Sequence, residues 1–307
     1  MTRRGWLLFA AMGIIWGTPY LFIRVAVGDL SPAALVFLRT VIGASLLVPI
    51  AAIRGELGDL APHWRWLVLY TLVEVAVPWF LLADAERHLS SSFTGLLIAA
   101  CPLVSAVLAW RTRADDRVDR RRLAGLVIGF VGVAVLLGLN AAIRDLGAVG
   151  EVAVVSLCYA VGPMIIARRF SGVPAVGVVA TSIALTALLY APLGLAQMPR
   201  HLPSLAVLGS VIALGVVCTA LAFLLFFALI AEVGPVRAIV ITYVNPAVAL
   251  FLGVLLLREP LTVGAIVGFA LILVGSYLTN RREAGASQVD SRTTRQSEST
   301  AASGRRP

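Results

Sequence analysis

The stretch that decides the fold is WLLFAAMGIIWGTPYLFIRVAV, residues 6–27, in which Arg24 is the one charged side chain. A transmembrane helix needs about 20 consecutive apolar residues, so this stretch is long enough to cross a bilayer. Arg3 and Arg4 precede it, as basic residues precede the apolar core of a signal peptide, but the apolar run is too long for such a core. We therefore interpret it as a retained first membrane span.

The composition extends this interpretation to the whole chain. Of the 307 residues, 60% are hydrophobic and 13% are charged, and the mean hydropathy is +0.95. A soluble globular protein carries about a quarter of its residues as charges. This composition excludes a water-soluble fold and predicts a helical membrane protein.

Further apolar runs of similar length follow along the chain, separated by short segments with turn residues and charges. They predict an all-α membrane protein with ten transmembrane helices. The predicted helices lie near residues 6–27, 33–53, 66–86, 91–110, 123–140, 148–168, 174–195, 204–230, 236–257 and 261–280.

The basic residues predict the orientation of these helices. All 25 of them are Arg. With a cytoplasmic N-terminus, fifteen lie in inner segments and four in outer segments, leaving aside residues 283–307. Cytoplasmic segments of membrane proteins are enriched in Lys and Arg. We therefore expect a multi-pass protein of the plasma (inner) membrane with both termini cytoplasmic, and we attribute the net charge of +9 to orientation rather than to nucleic-acid binding.

An internal repeat divides the chain. Prolines within or beside the apolar runs recur at separations of 142 to 144 residues, in the pairs Pro32 and Pro174, Pro49 and Pro192, and Pro102 and Pro246. The repeat predicts two five-helix halves, 6–140 and 148–280. Because five is odd, the second half enters the membrane with opposite orientation, which is a transporter signature. A duplication kept only for stability is the alternative.

Three further expectations concern what lies outside the bundle. Residues 281–307 are rich in Ser, Thr, Gln and Arg, which predicts a disordered cytoplasmic tail. The acidic motif at 115–119 resembles a magnesium site, but six Arg in the same loop would compete for its carboxylates, so we expect no metal. There is no ATP-binding signature, and we expect no cofactor.

Several motifs resemble those of the EamA-type family of the drug/metabolite transporter superfamily. They are WGTPY at 16–20, SP at 31–32 with Arg39, YVNP at 243–246, LREPL at 257–261, and the run from Gly264 to Gly275. The resemblance covers about residues 6–280. It implies ten helices in inverted five-helix repeats, a central cavity, and export of amino acids and other metabolites, often with proton coupling. The first half lacks a clear counterpart of Glu259, or has it displaced to Asp115 and Asp116.

Two ionisable residues are the leading candidates for a substrate or proton pathway. Glu74 is about eight residues into the third helix, and a charge at that depth is by default a functional hypothesis. Arg39 lies at a similar depth in the second helix, and its guanidinium offers a bidentate fork to a substrate carboxylate. A purely structural Glu74–Arg39 ion pair is an equally good interpretation at this stage.

Aromatic and amide side chains near the proline-broken stretches complete the candidate pathway. Aromatic walls suit apolar or cationic solutes, although helix packing is the alternative for any single ring. The candidates are Trp16, Tyr20, Trp79, Tyr159, Tyr243 and Asn245. Prolines remove intrahelical hydrogen bonds, which in lipid is tolerated mainly beside protein or a watery cavity. The predicted helix breaks that line the cavity are Pro19, Pro78, Pro102, Pro163 and Pro246.

Taken together, these patterns predict a secondary transporter that exports small metabolites by alternating access. Its expected partners are a small-molecule substrate and membrane lipid, with a homo-oligomer left open. A flippase for lipids or lipid-linked intermediates is the alternative. A membrane-embedded enzyme is disfavoured, because no catalytic group of residues clusters in the sequence.

Overall fold

The computed structural model describes residues 1–112, 120–138 and 145–280, and within these residues all regular secondary structure is helical. Ten helical segments follow one another along the chain. They are α1 (Arg3–Ala26), α2 (Pro32–Ile53), α3 (Gly58–His88), α4 (Ser91–Leu108), α5 (Arg120–Gly138), α6 (Leu146–Arg169), α7 (Ala175–Ala196), α8 (Leu205–Val233), α9 (Ile239–Leu257) and α10 (Val263–Asn280).

The predicted fold class is confirmed. In the described part of the chain, α1 to α9 are each long and apolar enough to cross a membrane, and α10 adds a shorter apolar helix. The largest difference in bounds is at α3, which starts at Gly58 instead of near residue 66. The added turn forms because Leu60 is buried in an apolar cluster with Leu67 and Phe170. Residues 113–119 and the predicted tail at 281–307 lie outside the described residues.

Helix breaks occur at some of the prolines and not at others. Helix α1 is interrupted just before Pro19, and the helical path of α4 is interrupted just before Cys101 and Pro102. Helix α9 starts with a short 3₁₀ turn, Ile239–Tyr243, just before Pro246. By contrast, α6 runs without interruption past Pro163.

Helix α3 passes Pro78 in another way. The six residues before Val77, Thr71–Ala76, are wound as a π-helix. A π stretch holds an extra residue, which rotates the rest of the helix by about 100° relative to regular α winding. Helix α8 has a similar stretch, Ala213–Leu221.

Contacts between chain segments define two ends of the bundle. At the first, which we call the Thr2 end, the Thr2 hydroxyl donates to the Glu232 carboxylate. At the second, the Glu259 end, Asp29 accepts a hydrogen bond from the Ser204 amide at 3.1 Å. Helix α1 starts at the Thr2 end, whereas α6 follows Asp145 at the Glu259 end, where Asp145 lies 3.3 Å from His88. The two five-helix halves are therefore inverted relative to each other.

The last helices of the two halves, α5 and α10, pack along each other at very short distance. A Cβ atom added to Gly275 would lie 2.4 Å from the amide nitrogen of Gly129, and one added to Gly132 would lie 2.8 Å from the carbonyl oxygen of Gly268. Small residues allow this approach of two backbones. The glycine spacing in the two halves thus forms the seam that joins them.

Candidate functional site

Glu74 lies in the π stretch of α3 and points at α6. Its carboxyl packs over Gly162, where an added Cβ would fall 1.7 Å from Oε2. Oε2 is buried and has no hydrogen-bond partner among the described residues. The side chain interacts electrostatically with Tyr70, Cys101 and Tyr159. The glycine therefore leaves the space that the carboxyl fills, and no salt bridge to it forms among the described residues.

Arg39 of α2 is 6% exposed and is held by two groups. Its Nε donates a hydrogen bond to Thr219 Oγ1 at 3.0 Å. Its guanidinium carbon lies 3.5 Å from the ring centroid of Trp79, a cation–π contact that is stronger when it is desolvated. Within the described residues, its terminal nitrogens make no hydrogen bond to the protein.

The ion pair that the sequence left open does not form in this conformation. Salt bridges between described residues do not include one from Glu74 to Arg39. The Glu74 carboxyl instead packs over Gly162, and the Arg39 guanidinium contacts Thr219 and Trp79. Glu74 and Arg39 are therefore not bound to each other.

Tyr159 of α6 lies within electrostatic range of both Glu74 and Arg39. Tyr20 of α1 interacts with Tyr159 in turn. Tyr20 and Trp79 are 7% exposed each. These five residues are brought together by four different helices, and we call them the central cluster.

Other candidates from the sequence take part in helix packing. Trp16 lies against two rings of α8, with centroids 5.9 Å from Phe223 and 4.6 Å from Phe226. Asn245, with its amide nitrogen turned towards the acceptors, donates to the carbonyl oxygens of Ile241 at 3.0 Å and Gly13 at 3.2 Å. Tyr243 is half-buried on the 3₁₀ turn of α9.

The candidate prolines differ in their surroundings. Pro78 and Pro246 are buried, and Pro19 and Pro102 are half-buried. Pro163 is exposed on its continuous helix.

The residues that precede Pro102 and Pro246 make related contacts across the two halves. Cys101 Sγ donates to the carbonyl oxygen of Ser156 at 3.5 Å, and Asn245 contacts Gly13. Each contact ties the start of a helix in one half to a helix of the other half. These prolines therefore mark joints between the halves.

The repeat relation continues into the site. Glu74 and Cys218 are 144 residues apart, and both lie in π stretches. Their contacts are also 144 residues apart, because Glu74 packs on Gly162 and Cys218 Sγ lies 3.3 Å from Thr18 Oγ1. The same helix crossing thus occurs twice, once with an acid and a glycine and once with a thiol and a hydroxyl.

Glu86 of α3 is a buried acid that the sequence analysis did not single out. It is 0% exposed, and neither carboxyl oxygen has a hydrogen-bond partner among the described residues. It interacts electrostatically with Tyr20 of the central cluster. It lies near the end of α3, 12 residues after Glu74.

A cleft opens at the Glu259 end of the bundle. Its volume is about 360 Å³, and its lining includes Arg24, His88, Ser90 and Glu259. The Glu259 carboxylate accepts hydrogen bonds from the backbone amides of Ser91 and Ser92, each at 2.8 Å. Those amides begin α4, so the turn of the second half caps a helix of the first half.

No metal centre is apparent in residues 1–112, 120–138 and 145–280, where no three His, Cys, Asp or Glu side chains are grouped for ligation. The acidic motif at 115–119, including the displaced counterpart of Glu259, lies outside the described residues.

Comparisons with known proteins agree with this architecture. The sequence matches the EamA-like transporter family over residues 3–138 and 148–281. The inner membrane transporter YedA of Escherichia coli, itself uncharacterized, is 29% identical over 283 residues, which cover 87% of this chain and 90% of YedA. The uncharacterized transporter YvbV of Bacillus subtilis is 23% identical over 90% of this chain and 91% of its own length.

One relative has a more specific description. A probable terminal-alkyne amino-acid exporter of Streptantibioticus cattleyicolor is 28% identical over 294 residues, which cover 93% of this chain and 96% of the exporter. Among solved structures, a crystal structure that is 21% identical matches with a TM-score of 0.65 over 91% of this chain and 97% of the other, which shows a shared fold. The ten apolar helices and the family match over both halves together establish that the chain is a multi-pass membrane protein of the EamA-like transporter family.

Proposed function

We propose that this protein is a secondary transporter that exports small metabolites of the amino-acid type by alternating access, with proton coupling. The observation that carries the proposal is the separation of Arg39 and Glu74. Arg39 is buried, Glu74 is half-buried with its Oε2 atom enclosed, and the described residues show no salt bridge between the two. A bundle that holds a separate anion site and a separate protonatable acid can bind a zwitterion and a proton.

Arg39 supplies the carboxylate site. Its Nε and its ring contact hold the guanidinium in place, and the terminal nitrogens remain free for a bidentate pair of hydrogen bonds. A hydrogen bond to a charged group is worth about 1.5 to 3 kcal/mol. Arg39 would therefore contribute a large part of the affinity for a solute with a carboxylate.

Glu74 supplies the proton site. Burying an unpaired carboxylate costs far more than burying the neutral acid. A change in water access at this position, as the bundle opens to one side or the other, would therefore change its protonation. In this way a proton gradient drives a change in the bundle, and transport needs no ATP.

The rest of the central cluster fits the remaining parts of such a solute. The faces of Tyr20, Trp79 and Tyr159 supply apolar area. The two tyrosine hydroxyls make no hydrogen bond within the described residues, and each offers a donor and an acceptor. The relative from Streptantibioticus cattleyicolor, named a probable exporter of amino acids, supports this substrate class.

We place the Thr2 end in the cytoplasm of the cell and the Glu259 end outside its plasma membrane. The excess of Arg in segments at the Thr2 end supports this orientation, and the description of YedA as an inner membrane transporter supports the location. The inverted halves can then exchange conformations and open the central cluster to either side.

The experiment is flux in proteoliposomes with a panel of radiolabelled amino acids, comparing wild type with Glu74→Gln. We expect the wild type to accumulate at least one panel member when a pH gradient is imposed. Glu74→Gln should lose gradient-driven accumulation and retain exchange of labelled for unlabelled solute. The matched control is Cys218→Ser at the repeat-related position, which should retain both activities.

Two outcomes would contradict the proposal. If the wild type moves no panel member and a pH gradient changes nothing, the transport function is wrong. If Glu74→Gln accumulates solute as the wild type does, Glu74 is a packing residue and the coupling lies elsewhere.

A further inference from the structure

The second buried acid of α3, Glu86, lies between the central cluster and the Glu259 end. It is 12 residues beyond Glu74, a distance of about 18 Å along a helix. Both of its carboxyl oxygens are buried without a hydrogen-bond partner among the described residues. The proposed transport mechanism does not use it.

The groups around Glu86 do not neutralise its carboxyl. From α1, Arg24 donates a hydrogen bond to the backbone carbonyl oxygen of Glu86, and salt bridges between described residues do not include one to its carboxylate. Tyr20, also of α1, faces it as a neutral phenol. From the α9–α10 turn, the Glu259 carboxylate repels a negative charge on Glu86, in the direction opposite to Arg24.

The ionisable groups of the other packed helices are engaged elsewhere. On α6, Glu151 interacts with Asp84 and His88, and Tyr159 interacts with Glu74 and Arg39. Arg39 of α2 is the base already assigned to the central cluster. Among the described residues, Arg24 is therefore the one cation that acts on Glu86, and the Glu259 carboxylate opposes it.

Glu259 ties the α9–α10 turn to the start of α4. Its carboxylate accepts the Ser91 and Ser92 amides at the start of α4, and we call this contact the Glu259 clasp. A helix N-terminus favours an ionised acceptor, so the clasp is made by the carboxylate form. An ionised Glu86 beside it would place a second, unpaired negative charge in a buried site, at a large cost.

The repeat indicates that Glu86 is not needed for packing. The position 144 residues later is Ile230, near the end of α8, which packs in an apolar cluster. The cleft at the Glu259 end reaches Arg24, whose guanidinium contacts the Glu86 backbone. Water in the cleft is thus one residue away from the buried acid.

We propose that Glu86 is a proton-binding site that controls the Glu259 clasp. When this end closes, the Glu86 carboxylate takes one proton from water in the cleft, and the neutral acid is buried beside the clasp. When the end opens, water reaches Glu86, which returns the proton and becomes a carboxylate. The clasp is therefore stabilised by acid and released by base. Its part in transport rests on the proposed function, but the clasp itself operates without any solute.

The test is hydrogen–deuterium exchange of the Ser91 and Ser92 amides, in the full chain in lipid nanodiscs with no solute added. One proton released on opening changes the opening equilibrium by about tenfold per pH unit. Between roughly pH 6 and roughly pH 8, after correction for intrinsic exchange, wild-type protection of these amides should fall by about tenfold or more. In Glu86→Gln the protection should stay high over the whole range.

Three further variants make the result decisive. Glu86→Ile introduces the residue found at the equivalent position of the second half, Ile230, and it should also keep the clasp closed. This variant provides the test if Glu86→Gln fails to fold. Glu232→Gln removes an acid at the Thr2 end and should follow the wild type. Glu259→Gln should expose the Ser91 and Ser92 amides at every pH. Protection of the α5–α10 seam shows in each case that the bundle is intact.

The proposal is overturned if Glu86→Gln and Glu86→Ile follow the pH profile of the wild type, or if they lose protection at all pH values. A transport assay without flux would leave these exchange results unchanged, so the proposed function and this proton site fail separately.

Discussion

The two halves of the molecule share their frame and differ in their chemistry. The first half carries buried charges at three positions, Glu74, Arg39 and Glu86. The aligned positions of the second half are Cys218, then Thr181 or Ser182, then Ile230, and none of these is charged. The duplication therefore supplies the inverted frame, and the charged residues of the central cluster lie in the first half.

The seam between the halves is alike on both sides. Glycines of α5 face glycines of α10, and the two backbones are in contact both at Gly129 with Gly275 and at Gly132 with Gly268. Close packing of this kind is symmetric because both helices need small residues. The central cluster does not require small residues from both halves, so equivalent positions in the two halves can carry different side chains.

The seam should give the largest effect of any substitution that tests this comparison. In Gly275→Val, the added Cβ would lie 2.4 Å from the amide nitrogen of Gly129. Backbone atoms cannot move aside as a side chain can, so we expect a loss of about 3 kcal/mol or more of stability. Thermal unfolding of the purified protein and its monodispersity measure this loss.

Gly150→Ala is the matched control, because nothing lies within 4 Å of its added Cβ. It should unfold at the wild-type temperature or slightly above. Equal stability of the two variants would show that the seam does not join the halves.

Arg39→Gln should give the next largest effect. It removes the buried cation while keeping a polar side chain beside Thr219 and Trp79. Loss of one partner from a buried charge pair costs about 2 to 5 kcal/mol, so transport of a carboxylate solute should fall by roughly thirtyfold or more.

The control for Arg39→Gln is Ser182→Ala in the aligned part of the second half. Ser182 donates only to the Val178 carbonyl of its own helix at 2.8 Å, so flux should stay near that of the wild type. Retention of flux in Arg39→Gln would leave the guanidinium a purely structural group.

Gly162→Ala should have a smaller effect that acts through Glu74. An added Cβ would fall 1.7 Å from Glu74 Oε2, which is the flexible end of a side chain. The carboxyl should move and the fold should persist, so we expect roughly a tenfold loss of gradient-driven flux with little change in stability. The same assay on Thr18→Ala, at the repeat-related position, should show a much smaller change.

Coupling between the two residues can be measured in a double-mutant cycle. If Gly162 acts only through the acid, Gly162→Ala should have little added effect in Glu74→Gln. Additive losses would mean that the glycine acts on helix packing instead.

The fold could be predicted from the sequence because lipid imposes simple rules. Apolar runs of about 20 residues give the helices, and the spacing of Pro102 and Pro246 reveals the repeat. Local winding is harder to predict, since a π stretch has no sequence signature. The early start of α3 depends on the burial of Leu60 against distant residues, and α6 continues past Pro163 although a proline often interrupts a helix.

The candidate site was predicted in part for the same reason. Glu74 and Arg39 stand out because a charge in lipid is costly. Gly162 carries no such signal, and its role depends on which helix crosses α3. Glu86 was missed because it lies at the predicted end of its helix, and its complete burial depends on packing against other helices. Trp16 packs against Phe223 and Phe226 through a contact that no local pattern reveals.

Cys218→Ala should give the smallest effect, and it is the sharpest test of the asymmetry between the halves. Cys218 occupies the position related to Glu74, and its thiol lies 3.3 Å from the Thr18 hydroxyl, which also donates to the Ile15 carbonyl. A neutral hydrogen bond contributes about 0.5 to 1.5 kcal/mol, so stability should fall by no more than that, while flux and its dependence on the pH gradient should stay close to those of the wild type. Flux and exchange are measured beside Glu74→Gln in the same vesicles. A loss of coupling in Cys218→Ala comparable to that in Glu74→Gln would mean that both halves carry the proton chemistry, and the contrast between them would fail.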